Sequence, residues 1–414
     1  MKKLCSVVAA GAMVAAGIVP SFAADVDWSG EVRVRYEQKD NWSDLDKDKG
    51  DLDRTTGQRT TINAKVAIDD QTTGFISIRD ARNWGSENAT NKLGSTVSTA
   101  DEDQATDLSE GYLDVKNLVG PVGLKIGRQK LAYGNQRLIG HLEWTDWGRR
   151  FDAIKLNLKT EPVDVDFVTA KLSDNANETE DQLNFIYATL KVIPQNKLDV
   201  YAIQSIGGGD YTNAVGWTVH NNQNFLTTGL RLAGKAAGAD WTAEFAKQSG
   251  DDKAEGTDIN ASAFAVTGGY TLPVLGGLRI GGEVFSGSGD DNSADKDNEA
   301  WQNLYPTNHF HYGISDFANT NWQNNTGAAV KVSMKPAKGL SVKIERWQME
   351  TTEDTGTKGG VETVESNIQV KYKLTEKTGL YVYYAMVDVE DDNAAAGAAE
   401  DQATKLGIQI AAKF

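Results

Sequence analysis

Apolar and polar residues alternate with a period of two along most of the chain, as in a β-strand that has one apolar face. In the first such segment Val32, Val34 and Tyr36 share one face, and Arg33 lies on the other face with charged neighbours. About eighteen segments of this kind follow one another between residues 27 and 414. The pattern therefore predicts a chain built almost entirely of amphipathic strands.

The connections between these segments alternate between short and long. After each even-numbered segment the gap is short, as in DDQT, VGP, TEP and PAKG, and most of these gaps carry the Pro or Gly that tight turns favour. After each odd-numbered segment the gap is longer and mostly polar, as in residues 39–56, 84–106 and 287–325. We therefore predict an all-β fold, a transmembrane antiparallel up-and-down β-barrel of about eighteen strands with short periplasmic turns and long extracellular loops.

The polar faces of the strands are predicted to line the barrel lumen, because charged residues that face lipid cost about 2–4 kcal/mol near the bilayer midplane. These polar faces carry Arg33, Arg35 and Arg59. A lumen of about eighteen strands is too wide for side chains of the wall to fill, so water enters unless a loop folds inward. The pattern therefore indicates a channel with arginines in its lumen.

The N-terminus has the features of a secretory signal. Lys2 and Lys3 precede an apolar stretch over residues 4–19, and residues 21–23 form a small-x-small cleavage site. An apolar run of about 16 residues is shorter than the roughly 20 that a membrane-spanning helix needs. We predict that residues 1–23 are a cleaved signal peptide and that residues 24–414 form one barrel domain in the outer membrane of a Gram-negative bacterium.

A soluble β-sandwich also alternates, but two further features favour a membrane barrel. The last segment ends on an aromatic residue, Phe414, and resembles the signal that the outer-membrane assembly machinery reads. Aromatic residues also lie near many predicted strand ends, as in interfacial girdles. We expect the barrel to contact outer-membrane lipids and lipopolysaccharide, and the assembly machinery through Phe414. The predicted girdle residues are Trp28, Tyr36, Phe75, Phe151, Phe167, Trp241, Phe285 and Trp347.

Composition excludes several classes of function. The formal net charge is −16, and removal of Lys2 and Lys3 leaves 40 basic and 58 acidic residues, a net charge of −18. This balance argues against nucleic acid as a partner. The one cysteine, Cys5, lies in the predicted signal peptide, so residues 24–414 cannot form a disulfide or a thiolate metal site.

The first long connection contains a possible calcium loop. Asp44, Asp46 and Asp48 precede Gly50, a spacing of carboxylates that can wrap Ca²⁺. The glutamate expected at the twelfth position is replaced by Thr55, which favours a solvated acidic loop. We therefore predict no metal site and no cofactor, with loop-bound Ca²⁺ through these aspartates as the alternative.

From residue 126 the chain reads IGRQKLAYGNQRLIGHLEWTDWGRRFDAI, in which Arg, Gly, aromatic and Asp positions follow in order. This segment resembles the alginate-export family of outer-membrane channels, and residues 301–317 resemble it more weakly. The resemblance implies an eighteen-stranded monomeric barrel that passes an anionic polysaccharide or related anions through an arginine-rich lumen. The matching residues include Gly127, Arg128, Gln129, Tyr133, Gly134, Arg137, Trp144, Arg149, Arg150, Phe151 and Asp152.

The arginines of this segment have two interpretations. Arg128, Arg137, Arg149 and Arg150 cluster around one strand–loop–strand unit, and a guanidinium binds carboxylates bidentately, which suits anionic sugars. Asp152 would then hold one arginine in place, and an inward fold of the loop would narrow the pore. In the other interpretation, the same residues form an ion-pair network that braces the loop against the wall.

Three functions remain compatible with the sequence. The first is an outer-membrane channel for anionic saccharides or other organic anions, similar to the alginate-export channels. The second is a general or weakly cation-selective porin, and the third is a structural or adhesion barrel that its loops close. An enzyme is not expected, because no nucleophile or acid–base set has a suitable spacing.

Overall fold

In the computed structural model, the described residues are 25–42, 45, 51–85, 105–174, 180–207, 211–212, 218–219, 223–253, 255–292, 294–317, 321–354, 360–391 and 402–414. They contain eighteen long strands, each paired antiparallel with the next along the chain. The last strand pairs with the first, with Val34 opposite Ile410, which closes the sheet into a barrel. This confirms the predicted all-β barrel and its strand number.

The strand bounds follow the predicted segments closely. The first nine strands are β1 (Asp25–Asp40), β2 (Asp53–Ala67), β3 (Thr72–Asn83), β4 (Ala105–Val119), β5 (Val122–Gln129), β6 (Phe151–Lys159), β7 (Val163–Asp174), β8 (Glu180–Leu190) and β9 (Asn196–Ile206). The other nine are β10 (Gln223–Ala236), β11 (Ala239–Asp252), β12 (Ser262–Leu272), β13 (Leu278–Gly287), β14 (Asn325–Ala337), β15 (Leu340–Glu350), β16 (Val361–Lys373), β17 (Thr378–Asp391) and β18 (Ala403–Lys413).

The long connections contain short regular segments. Tyr211–Thr212 pairs with Thr218–Val219, and Thr257–Ile259 pairs in parallel with Asp297–Asn298. A single 3₁₀ turn is described, at Asn308–Phe310. No helix within the described ranges is long and apolar enough to cross a membrane.

The two faces of the wall differ as the alternation predicts. Arg33 and Arg59 lie opposite each other on β1 and β2 and are buried on the inner side, whereas Val32 and Ile62 are exposed on the outer side. The inner side is buried because long loops cover it, so the protein has an apolar core inside the barrel. Large buried residues of that core are Leu131, Ile139, Trp301, Tyr312 and Trp322.

Part of the predicted aromatic girdle is wrong. Phe151, Phe285 and Trp347 are almost fully buried in the core inside the barrel. Each occupies an inward position of its strand, so these rings pack against the loops in the lumen and not against lipid. Trp28 and Phe167 do lie exposed on the outer face, where a girdle residue would be.

Candidate functional site

Two loops fold into the lumen and hydrogen-bond to each other. The first lumen loop, residues 130–150, connects β5 to β6, and the second lumen loop, residues 301–317, belongs to the connection from β13 to β14. The amide of Gly140 donates to the carbonyl of Tyr305 at 2.7 Å, and the amide of Tyr305 donates to the carbonyl of Leu138 at 2.8 Å. Backbone bonds therefore join the loops into one unit.

Glu143 is the centre of the ion pairs that attach the first lumen loop. Its carboxylate lies 2.7 Å from Arg150, 3.0 Å from Arg79 and 3.4 Å from Arg59 and Lys130. Burial alone would raise the pKa of Glu143, but the surrounding cations, Arg79 and Lys130 foremost, lower it to about 2. The carboxylate is therefore ionised at neutral pH and ties the loop to β2 and β3.

The wall arginines Arg33 and Arg59 are also engaged with this loop. Arg33 forms an ion pair with Asp146 and donates to the carbonyl of Thr145 at 3.0 Å. Arg59 donates to the same carbonyl at 3.1 Å and pairs with Glu31 at 2.5 Å. The structure thus uses these guanidinium groups to bind the loop backbone and its carboxylates.

Trp144 connects the first lumen loop to the wall and to the second lumen loop. The guanidinium of Arg35 lies 3.7 Å from the Trp144 ring centroid, and the His309 ring stacks on the indole at a centroid distance of 3.6 Å. His309 is in turn 2.9 Å from Asp316. Both cation–π and stacking contacts therefore act on one side chain.

Arg137 and Arg149 bind the second lumen loop and the opposite wall. Arg137 is 1% exposed, forms an ion pair with Glu283 on β13 and donates to the Tyr312 hydroxyl at 2.5 Å. Arg149 donates to the Pro306 carbonyl at 2.9 Å. The predicted residues Arg33, Arg35, Arg59, Arg137, Arg149 and Arg150 are thus all brought together around the two loops.

Arg128 and Asp152 lie on the outer face, which contradicts their predicted place in the pore. They oppose each other on β5 and β6, 3.4 Å apart, with side chains 42% and 61% exposed. Their neighbour Gln129 is fully buried, so position 128 must point outward under the period-two alternation. The prediction placed both residues with the loop arginines because they belong to the same family motif, and it did not consider the face of the strand on which each one lies.

The other motif residues shape the junction between the strands and the first lumen loop. Gly127 has φ of 123°, and a Cβ there would lie 2.3 Å from the carbonyl oxygen of Gly111. The Gln129 side chain donates to the Ala153 carbonyl at 2.9 Å, and the Tyr133 hydroxyl lies 2.7 Å from Asp166. The rings of Phe151 and Tyr305 pack edge to face with their centroids 5.6 Å apart. Gly134, in the first lumen loop, has φ of 57°.

The predicted calcium alternative falls outside the described residues, since Asp44, Asp46 and Asp48 are not among them. Among the described residues, no group of three or more His, Cys, Asp and Glu side chains is arranged to hold a metal ion.

Sequence reasoning missed several residues of this unit. Glu365 on β16 accepts the amide of Ile314 at 2.7 Å, and Lys405 on β18 donates to the Ser315 carbonyl at 3.0 Å. Arg79 contacts Glu143, and its inward position in the alternation of β3 would have identified it. Glu365 and Lys405 also occupy inward positions in the alternation of β16 and β18, but the alternation does not identify their partners in the second lumen loop, which lie far away in the chain.

A cavity of about 690 Å³ lies below the two loops, on the side of the short turns. Arg33, Trp144 and His309 contribute to its loop side, and Tyr381 contributes to its wall. We call it the lysine cavity, since its lining includes five lysines, Lys343, Lys371, Lys373, Lys377 and Lys413. The carboxylates of its lining are Glu143, Glu345 and Glu376.

A closed antiparallel barrel of this size, with inward-folded loops and charged cavities, is the architecture of an outer-membrane channel. A family model described as alginate export matches residues 25–361, and the chain belongs to that family. It is therefore an outer-membrane channel protein. None of the curated proteins matches it.

Solved structures with the same fold are outer-membrane proteins of low sequence identity. OpdK of Pseudomonas aeruginosa, solved with vanillate, has a TM-score of 0.64 at 11% identity, covering 94% of this chain and 98% of its own. OccK11 (OpdR) of Pseudomonas aeruginosa has a TM-score of 0.63 at 12% identity, and the match covers 94% of this chain and 96% of that protein. OccAB2 of Acinetobacter baumannii has a TM-score of 0.62 at 11% identity, and the match covers 94% of this chain and 98% of that protein.

Proposed function

We propose that the protein is a non-catalytic channel that selects small organic anions, including single acidic sugar units, and that the lysine cavity supplies the selectivity. The observation that carries this proposal is the excess of basic residues in the lining of that cavity. Five lysines and Arg33 accompany three carboxylates there. A cleft lined by one sign of charge and bounded by low-dielectric walls focuses the field and concentrates counter-ions.

The lysines differ in how far carboxylates balance them. Lys343 lies 2.8 Å from Glu345, and Lys413 lies 3.9 Å from Glu31. Lys371, Lys373 and Lys377 form no ion pair with any described residue. These three charges remain available to an anion that enters from the periplasmic side.

The loop arginines contribute less to selection in this proposal than the sequence suggests. Arg59, Arg79 and Arg150 each lie within 3.4 Å of Glu143. An anion would have to displace that carboxylate before it could bind them. The bracing interpretation of these arginines is therefore the one that we favour.

Small solutes fit this arrangement better than a polymer. The two lumen loops are joined by backbone hydrogen bonds and anchored to β1, β2, β13, β16 and β18. A cavity of about 690 Å³ is in the size range of small-molecule sites. The neighbouring channel OpdK was solved with vanillate, a ring that carries one carboxylate, and a solute of that kind is a suitable probe here.

The test is the reversal potential of single channels in a planar bilayer under a KCl gradient. We expect a potential that favours chloride and a current that galacturonate blocks. The triple variant Lys371→Gln, Lys373→Gln, Lys377→Gln should lose most of the chloride preference. The matched control is Lys159→Gln, Lys191→Gln, Lys197→Gln, three lysines of another cavity where three aspartates accompany the basic residues, and it should lose less.

A cation-leaning reversal potential would instead support a general porin. Correctly folded protein without conductance would exclude both channels and leave the loop-closed structural barrel.

A further inference from the structure

We propose that a groove on the outer face of the barrel binds the lipid anchor of one lipopolysaccharide molecule, at a site that is separate from the lumen and from the proposed anion selectivity. The groove has a volume of about 400 Å³ and crosses β6 to β10. We call it the outer groove. Its large apolar side chains, all of them exposed, are Ile154, Leu156, Phe167, Ile186 and Leu226.

The apolar part of the outer groove lies where a small residue stands among larger ones. Ala202 on β9 is the cross-strand neighbour of Ile186 on β8, which is in turn the neighbour of Phe167 on β7. The residues that alternate with them, such as Val168 and Ile203, are buried on the inner side. The groove therefore faces the membrane, and its apolar surface suits an acyl chain.

Three polar side chains lie in the outer groove one row closer to the extracellular end. Thr169, Asn184 and Gln204 are cross-strand neighbours on β7, β8 and β9. None of these side chains forms a hydrogen bond with another residue in the described part of the chain. An amide without a partner is costly in apolar surroundings, and polar groups at membrane depth mark functional sites. These three side chains therefore require partners from the membrane.

Charged residues form the next row toward the extracellular end. Arg128, Asp152 and Lys171 are outward-facing neighbours on β5, β6 and β7. Arg128 lies 3.4 Å from Asp152, and Lys171 lies 2.9 Å from Glu180. The four side chains are between 41% and 61% exposed, and ion pairs at such exposure are weak. The row can therefore rearrange around a charged headgroup.

The order of the three rows matches the order of groups in a lipopolysaccharide anchor. From the extracellular end toward the middle of the membrane the wall is charged, then polar, then apolar, and adjacent rows lie about 6–7 Å apart along the strands. The phosphates of the anchor would bind Arg128 and Lys171, and its sugar hydroxyls would donate to Asp152. The linkages of its acyl chains would meet the polar row, and one chain would fill the apolar part of the groove.

Hydrogen-bond donors in the linkage region distinguish lipopolysaccharide from a glycerophospholipid. The side-chain oxygens of Asn184 and Gln204 need donors, and their nitrogens need acceptors. Lipopolysaccharide has amide linkages and chain hydroxyls, which both donate and accept, whereas the ester carbonyls of a glycerophospholipid only accept. The position near the extracellular ends of the strands also places the site in the leaflet that contains lipopolysaccharide.

The test is native mass spectrometry of the folded full chain, released from detergent micelles after titration with lipid A or with phosphatidylethanolamine. We expect one lipid A per chain, bound about tenfold more tightly than phosphatidylethanolamine. Ala202→Trp fills the outer groove and should weaken lipid A binding about tenfold. The matched control is Ala328→Trp, at another exposed alanine of the outer face, opposite Val284, which should leave the affinity unchanged. This readout does not depend on conductance or on anion selectivity.

A second variant tests the polar row alone. The double substitution Asn184→Leu, Gln204→Leu keeps the side-chain size and places leucines on a lipid-facing surface, so the barrel should fold. It should remove most of the preference for lipid A over phosphatidylethanolamine. The proposal is overturned if lipid A does not bind, if Ala202→Trp binds it as the native chain does, or if the double variant keeps the preference. Dimers that Ala202→Trp dissociates would also overturn it, since the groove would then bind a second copy of the chain.

Discussion

The loop arginines and the cavity lysines face the same lumen, but their charges are balanced to very different degrees. Arg59, Arg79 and Arg150 surround one ionised carboxylate and are held against a loop. Lys371 and Lys373 form no ion pair with the described residues, and they line an open cavity. The difference teaches that basic residues on a lumen face do not by themselves define a selectivity filter. Whether such a residue holds a loop in place or attracts an anion depends on whether a carboxylate already pairs with it.

The strongest test of this comparison removes the most deeply buried of the arginines that hold the lumen loops in place. We expect Arg137→Ala to lower the free energy of unfolding by about 3–5 kcal/mol, because it leaves Glu283 buried with one partner fewer. Lys331, 2.5 Å from Glu283, remains and should keep the loss near the lower value. Guanidinium titration of the detergent-folded chain measures it. A loss below about 1 kcal/mol would mean that Arg137 does not brace the loops.

Removal of the central carboxylate should have the next largest effect. Glu143→Gln leaves four basic groups without their shared partner, and we expect a loss of about 2–3 kcal/mol, since the Glu143 side chain is partly exposed. Single-channel records should also show larger and noisier currents as the first lumen loop loosens. Unchanged currents would indicate that the remaining hydrogen bonds suffice to hold it.

The pH dependence of this effect follows from the pKa of Glu143. Its folded value of about 2 is below the usual 4.5, so the stabilisation is complete above about pH 4.5 and is lost as pH falls toward 2. The stability difference between native protein and Glu143→Gln should therefore stay constant from pH 8 to about pH 5 and shrink below that. A difference that already disappears at pH 6 would contradict the pairing.

A smaller effect is expected from the ring that links the loops. Trp144→Leu removes the stack on His309 and the cation–π contact with Arg35, together worth about 1–2 kcal/mol. Hydrogen exchange of residues 140–146 should quicken, while Tyr381→Phe, at the edge of the same ring, serves as the control. Equal exchange in both variants would show that the backbone bonds alone hold the loop.

The barrel could be predicted from the sequence because, in a strand of the barrel wall, residues that face lipid alternate with residues that face the lumen. The apolar positions of each segment therefore indicate which of its faces points outward, as the burial of Arg33 and the exposure of Val32 confirm. The loop unit could not be predicted in this way. Its contacts join residues far apart in the chain, such as Arg137 with Glu283 and Ile314 with Glu365, and no periodic signal encodes them. The motif resemblance located the first lumen loop, but it did not reveal the partners of its arginines.

Arg128 provides the smallest and most discriminating change, because it belongs to the same motif and carries the same charge but faces outward. Its partner Asp152 is 61% exposed, and exposed pairs contribute at most about 1 kcal/mol. Arg128→Ala should therefore change the free energy of unfolding by less than about 0.5 kcal/mol and leave the reversal potential unaltered. The same two measurements on Arg149→Ala, from the same motif, provide the contrast, since Arg149 holds the carbonyl of Pro306. If Arg128→Ala shifted the reversal potential as much as the lysine substitutions, selectivity would not depend on the face of the wall, and the distinction between bracing arginines and attracting lysines would fail.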